Sequence, residues 1–206
     1  MEPTVVDHPL AAHLLAGLRD ASTPPERFRH LARRLATVLL LEATRGITSV
    51  DATVTTPLRV APAKLLASPV VAVPILRAGL GLLEPFTELL PDVRVGYVGL
   101  ERDERTLQPT SYYLKVPRLE DACVLLLDPM LATGGSAAFA ATLLKERGAQ
   151  DLQLVCVVAA PEGVERLAGE HPDVRVVTAA VDDGLNEVGY IVPGLGDFGD
   201  RLFGTF

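Results

Sequence analysis

The chain holds only 2 cysteines in 206 residues, Cys123 and Cys156, and both lie inside apolar runs. A disulfide framework uses many spaced cysteines in a small secreted domain, so these two read as small core hydrophobes and point to a reducing cytoplasm. No apolar run reaches the roughly 18–20 residues of a membrane span. The longer ones, such as Val70–Leu76, have the length of a strand. Met1–Asp7 carries two acids and no basic segment, unlike a secretory signal. Positive charge is also short, with 19 Lys and Arg against 26 Asp and Glu for a net −7. A polyanion is held by a basic stripe that displaces its counterions, so nucleic acid is excluded as a partner. A small charged ligand needs only local positive potential. The histidines His8, His13, His30 and His171 show no spacing to cysteines or acids that would make a zinc site or a catalytic triad. No Walker sequence occurs. Gly194–Gly199 matches G-x-G-x-x-G, but with seven residues after it there is no room for the helix and strand that give a dinucleotide motif its meaning.

What is present is the composition of a globular domain, 49% hydrophobic and 22% charged, and at roughly 150 residues per domain the chain reads as one unit, 1–206. Residues 1–68 are expected to form N-terminal helices and a short β segment. Leu10, Leu14, Leu15 and Leu18 give one apolar helical face up to Arg19, and Phe28, Leu31, Leu35, Val38 and Leu39 give another. Thr23-Pro24-Pro25-Glu26 has the pattern of a capping box opening the second helix. Val50–Thr56 predicts a strand or hairpin. Residues 69–181 alternate apolar runs (Val70–Leu76, Val93–Leu100, Ala122–Leu127, Leu152–Ala159, Val174–Val181) with helical stretches (Leu82–Leu90, Ser136–Arg147, Pro161–Ala168). That alternation predicts an α/β fold, a mostly parallel twisted sheet with helices on both faces. Glu101–Arg118 is polar and breaks the rhythm, as a lid or a surface excursion would. Residues 182–206 form a Gly-rich C-terminal segment. Open parallel sheets bind ligands beyond the carboxyl ends of their strands, which is where functional residues are sought.

One such end is distinctive. The run Cys123–Leu127 leads into Asp128, Pro129, Met130, Leu131, Ala132, Thr133, Gly134, Gly135 and Ser136, and then a helix. Glycines let backbone approach a ligand closely, and the open N–H groups and dipole of a helix start favour an anion such as phosphate. A carboxylate shortly before that turn suits a ligand with hydroxyls beside its phosphate, such as a ribose 5-phosphate. The residues alone also allow a plain capped strand-to-helix turn. They leave Arg77 open as a surface ion-pair residue, Arg102 as part of a solvated network with Glu101, Asp103 and Glu104, and the Gly-rich tail as a cover for the core.

The segment Asp128–Ser136 resembles the phosphoribosyl-diphosphate (PRPP) loop of type I phosphoribosyltransferases, and its Pro129 resembles the uracil phosphoribosyltransferase branch. Pro74–Gly81, Gly99–Glu104 and Leu185–Thr205 resemble that family's diphosphate loop, mobile loop and uracil-binding segment, and Asp7–Leu10 and Glu42–Arg45 fit as well. The resemblance implies transfer of a phosphoribosyl group from PRPP to uracil, giving UMP and diphosphate in pyrimidine salvage, with Mg²⁺ carried on PRPP. It implies Asp128, Arg77 and Arg102 as catalytic residues. Residues 128–136, with Arg77, Arg102 and Asp197, would hold PRPP; Ile191, Gly196, Asp197 and Phe198 would hold uracil. Asp103–Pro117 would close as a lid, and a non-proline cis peptide would precede Arg77. The family also implies a homo-oligomer, a dimer or multiple of dimers, and admits GTP as an effector. A phosphoribosyltransferase for another base, or a pyrimidine-responsive RNA-binding regulator on the same fold, are the competing readings. No resident metal is assigned to Asp182, Asp183, Asp197 and Asp200. The chain departs from the pattern at Phe198, where alanine is usual, and at Glu101 and Leu41, where tyrosine is usual; Leu41 is assigned to helix packing.

Overall fold

The computed structural model describes residues 2–102 and 109–205, the side chains of Arg102 and Pro109 excepted. In chain order its elements are β1 (Thr4–Val5), α1 (Pro9–Arg19), α2 (Pro25–Ala43), β2 (Ser49–Thr55), β3 (Val60–Leu66), β4 (Val70–Leu76), α3 (Leu80–Leu89), β5 (Arg94–Val95) and β6 (Tyr97–Arg102). There follow β7 (Pro109–Lys115), β8 (Cys123–Leu127), β9 (Met130–Leu131), α4 (Gly135–Glu146), β10 (Asp151–Ala159), α5 (Pro161–Glu170), β11 (Arg175–Val181), β12 (Gly184–Leu185), β13 (Ile191–Val192) and α6 (Phe198–Phe203).

The apolar runs become a central sheet in the order β1-β11-β10-β8-β4-β6-β7. Every neighbouring pair is parallel except β6 with β7. Strands β4, β8 and β10 are buried along almost their whole length because helices cover both faces, which is why they read as unbroken rather than alternating apolar runs. One core layer gathers Leu18, Phe28, Leu35, Phe86, Leu127 and Phe198 under α1, α2, α3 and α6. The other gathers Leu126, Ala138, Leu144, Cys156 and Leu167 under α4 and α5. Both cysteines are free and buried, and burial pushes their thiols up to about 11 for Cys123 and about 12 for Cys156, which leaves them un-ionised at neutral pH. No helix among the described residues is long and apolar enough to cross a membrane.

Four local expectations change. Thr23 does not cap α2: its hydroxyl donates to the Gly17 carbonyl at 2.7 Å, and Pro24, which lacks a side-chain acceptor, takes the cap position ahead of Pro25. The run Val93–Leu100 divides into β5 and β6 at Gly96, which packs against Val116 too closely to bear a side chain. The described part of Glu101–Arg118 is not a surface excursion, since β7 pairs antiparallel with β6 and brings Leu114 and Val116 onto the core. Leu41 is 61% exposed on α2 and does not pack. The β2–β3 hairpin forms as expected and stands out from the body, with none of its strand residues buried.

Candidate active site

Because β4, β8 and β9 run parallel, they deliver Arg77, Asp128 and Ala132 to the same edge of the sheet. Beyond β9 the chain turns through Thr133 and Gly134 into α4. Among the described residues no backbone or side-chain acceptor takes the amides of Thr133, Gly134, Gly135, Ser136 or Ala137; the first bonded amide is that of Ala138, to the Gly134 carbonyl at 2.9 Å. Gly134 holds φ +76°, open to glycine, and a Cβ there would lie 2.8 Å from the Gly163 carbonyl oxygen. Five open N–H groups at the positive end of a 12-residue helix, flanked by the half-buried hydroxyl residues Thr133 and Ser136, form an anion cradle rather than a closed turn. The first turn of α5 supports it from behind. A Cβ on Gly163 would collide with the carbonyls of Leu131 and Ala132, a requirement with no sign in the sequence beyond a glycine near the start of a helix.

Asp128 lies at the mouth of β8, just before this turn. Burial pushes its carboxyl up to about 7, and the single amide bond offered by Met130, at 3.5 Å, offsets only part of that. A carboxyl so placed has unused capacity for hydroxyl donors. Pro129 and Leu131, expected along the ligand, brace the loop. Both are buried, and their carbonyls accept from Val157 and Ala160, each at 2.9 Å. Met130 and Ala132 face the cavity beside Asp128.

Arg77 follows a cis Leu76–Arg77 peptide, as the resemblance implies. Its side chain is 63% exposed, 3.8 Å from Asp200 Oδ1, with the guanidinium 5.6 Å from the centroid of the Phe203 ring. These loose contacts leave its fork free to bind an anion bidentately at the site edge. Gly79 lets the turn press onto the ends of β4 and β8, where a side chain would strike Leu127 and Ile75 backbone. The backbone of Arg102 ends β6 at this same edge; its side chain and residues 103–108 lie outside the described residues. Of the expected Asp103–Pro117 lid, Pro109–Lys115 is the edge strand β7, paired with β6, and residues 103–108 lie outside the described residues.

A cavity of about 220 Å³ opens between Asp128 and the C-terminal segment, lined by Ala78, Met130, Tyr190, Ile191 and Gly196–Gly199. A larger cavity of about 530 Å³, between Leu65–Val70 and Leu90–Arg94, sits at the opposite end of β4, away from these groups. Gly196 takes φ +78°, and neither its N–H nor its C=O has a partner among the described residues. Asp197 is exposed, and its Oδ1 accepts from the Asp200 amide at 2.8 Å, capping α6. Phe198 contributes backbone alone. Its ring is buried against Phe28 and Gly81, so it does not narrow the cavity.

Two residues outside every motif, Arg19 and Asp182, complete this region together with Arg201 of the C-terminal segment. Asp182 receives two bonds from Arg19, at 2.5 and 2.8 Å, and one from the Gly194 amide at 2.8 Å. Arg201 donates to the carbonyls of Leu195, Leu18 and Asp20.

A family model described as uracil phosphoribosyltransferase matches residues 5–205. The chain is 52% identical over 207 residues to the uracil phosphoribosyltransferase of Thermus thermophilus, covering 100% of each chain. Among solved structures it is similar to the AQ2163 protein of Aquifex aeolicus, with 36% identity, 99% of each chain covered and a TM-score of 0.94. A hypoxanthine-guanine phosphoribosyltransferase from Bacillus anthracis shares the fold at 10% identity, with a TM-score of 0.52 over 77% of this chain and 80% of that one.

Proposed function

The chain belongs to the uracil phosphoribosyltransferase family, and on that premise we propose that it transfers the 5-phosphoribosyl group of PRPP to uracil, releasing diphosphate and forming UMP. The observation that carries the reading is the row of open amides at 133–137 with the Asp128 carboxyl beside it. A dianionic phosphate fits the amides, and the ribose hydroxyls then fall to Asp128. As diphosphate leaves the anomeric carbon and the base nitrogen arrives, positive charge grows on the sugar. Ionised Asp128 stabilises that charge, while Arg77, permanently charged and bidentate, holds the leaving diphosphate. By the resemblance, Arg102, whose backbone ends β6, is assigned to the diphosphate as well.

Uracil is read by main chain. The unpaired N–H and C=O of Gly196, with the neighbouring groups of Ile191 and Phe198, offer donors and acceptors in a fixed order. Cytosine carries a donor where uracil carries an acceptor, which would leave a buried polar group unpaired.

Among the described residues no three His, Cys, Asp or Glu side chains gather into a metal cage. The Mg²⁺ of the reaction is read as entering on the diphosphate oxygens of PRPP, and Asp128 and Asp197, the carboxylates that line the cavity, would face it. The exposed apolar side chains of the hairpin, Val50, Val54, Leu58, Val60, Leu65 and Leu66, support a homo-oligomer in which a second copy covers them. The free buried thiols fit a reducing compartment, the cytoplasm.

The test is diphosphate release from PRPP and Mg²⁺ with uracil, 5-fluorouracil, cytosine, thymine and hypoxanthine, with and without GTP. Turnover is expected with uracil and 5-fluorouracil and not with cytosine or hypoxanthine. Turnover with hypoxanthine but not uracil would overturn the assignment of the base.

A further inference from the structure

Asp182 carries a charge in a place where water scarcely reaches it; its side chain is 4% exposed. A buried carboxylate is retained only where its lone pairs are satisfied, and here all of its partners converge on one turn. Arg19 Nη2 donates to Oδ1 at 2.5 Å and Nη1 to Oδ2 at 2.8 Å. Oδ2 also accepts from the Gly194 amide at 2.8 Å, and Arg19 Nη1 donates to the Gly194 carbonyl at 2.8 Å. Both polar groups of one peptide residue are therefore held by two side chains that are themselves bonded to each other.

Gly194 has φ +59°, and a Cβ there would strike the Ile191 carbonyl, so the turn is tight as well as clamped. The next carbonyl, Leu195, is taken by Arg201 Nη1 at 2.7 Å. The same guanidinium donates to Leu18 and Asp20 and lies 4.6 Å from the Phe28 ring centroid. Two arginines at the end of α1 and in α6 thus fix residues 194 and 195. Residue 196, which follows at once, lines the cavity, and its own N–H and C=O have no partner among the described residues.

We propose that Arg19, Asp182 and Arg201 are positioning residues for base recognition. They hold the 194–195 backbone so that the main-chain groups of Gly196 meet uracil in register, and they act on the base rather than on the phosphoribosyl half of the site. The proposal rests on the reading of 191–199 as the uracil segment. Main-chain recognition has no side-chain rotamers with which to recover from a shift, so its selectivity is only as good as the fixity of the turn. A displacement of about 1 Å can lower reactivity roughly a hundredfold.

The experiment compares wild type with Asp182→Asn, Arg19→Lys and Arg201→Lys, variants that keep volume and part of the bonding so that the fold survives. It measures the KM for uracil, kcat, the Kd for PRPP, the Kd for ribose 5-phosphate and the uracil-to-cytosine ratio of kcat/KM. Each variant is expected to raise the KM for uracil by about tenfold or more and to reduce the uracil preference. PRPP and ribose 5-phosphate affinities are expected to stay within about twofold, because the amides at 133–137 are untouched. Arg19→Ala combined with Asp182→Ala is expected to cost no more in uracil KM than either alone. An unchanged uracil KM in the three conservative variants would overturn the proposal, as would equal losses of uracil and PRPP binding. A wild-type enzyme that fails to use uracil would instead refute the base assignment on which the proposal rests.

Discussion

The edge of the Phe198 ring meets Phe28 with ring centroids 5.1 Å apart and planes inclined by 67°, and both side chains are buried. One residue therefore serves two surfaces: it lines the cavity beside Asp128 while its ring anchors α6 to α2. The space for that ring is left by Gly81, where a Cβ would lie 2.8 Å from Phe198 Cε1. Phe198→Ala is expected to lower stability by about 3–5 kcal/mol, as for other large aromatic truncations in cores. It is not expected to lower the KM for uracil. Urea unfolding and steady-state kinetics check both; a lower KM at unchanged stability would mean the ring faces the base.

Asp128 ties activity to pH and opposes stability. Its folded pKa of about 7 lies above the ordinary value of 3.8, so the folded state binds the extra proton. That contribution is fully present below about pH 4 and is lost as pH rises through 7. Asp128→Asn removes the buried charge. It is expected to raise the melting temperature at pH 8, with the gain shrinking as pH falls towards 4. Turnover is expected to drop by about a hundredfold or more, since an electrostatic partner of the developing cation is gone. In wild type, kcat/KM for PRPP is expected to decline as pH falls below 7, and in Asp128→Asn that decline is expected to flatten. Thermal melts and pH–rate profiles read these outcomes.

Gly163 permits the turn at 133–137 to sit against α5. Gly163→Ala forces a methyl group into the carbonyls of Leu131 and Ala132. The expected result is a raised KM for PRPP with the KM for uracil within about twofold, since sites with no shared partners behave nearly independently. Steady-state kinetics with each substrate varied in turn separates the two.

The hairpin offers a test of assembly. Leu58 at its tip is 94% exposed, and Val60 and Leu65 lie on the following strand. Val60→Lys with Leu65→Lys is expected to shift sedimentation to a smaller species, because buried like charges would face each other across a two-fold contact. An unchanged sedimentation coefficient would place the subunit contact elsewhere.

The parallel sheet and the phosphate turn were legible in the sequence because each is written locally: Val and Leu runs for strands buried on both faces, and Thr133–Ser136 after a strand that ends in Asp128. Pro129 and Leu131 were not legible as braces. Whether a loop residue faces ligand or sheet depends on the carbonyl partners at Val157 and Ala160, some thirty residues on. The strand Pro109–Lys115 was hidden because it is polar on its exposed side and pairs antiparallel at the sheet edge, where only part of the strand needs apolar side chains. Thr23 failed as a cap because the Gly17 carbonyl competed for its hydroxyl. Arg19 and Asp182 had no local signature at all, being 163 residues apart.

That separation bears on how the enzyme comes into being. Arg19 is made 163 residues ahead of its partner Asp182, and the Gly194 and Arg201 groups that complete the clamp follow later still. The end of the first helix therefore waits for these partners until the C-terminal segment is made. Contacts of such length are slow to close. Nascent chains halted before residue 182 would lack Asp182, Arg201 and the 194–195 backbone that these clamp to the end of α1.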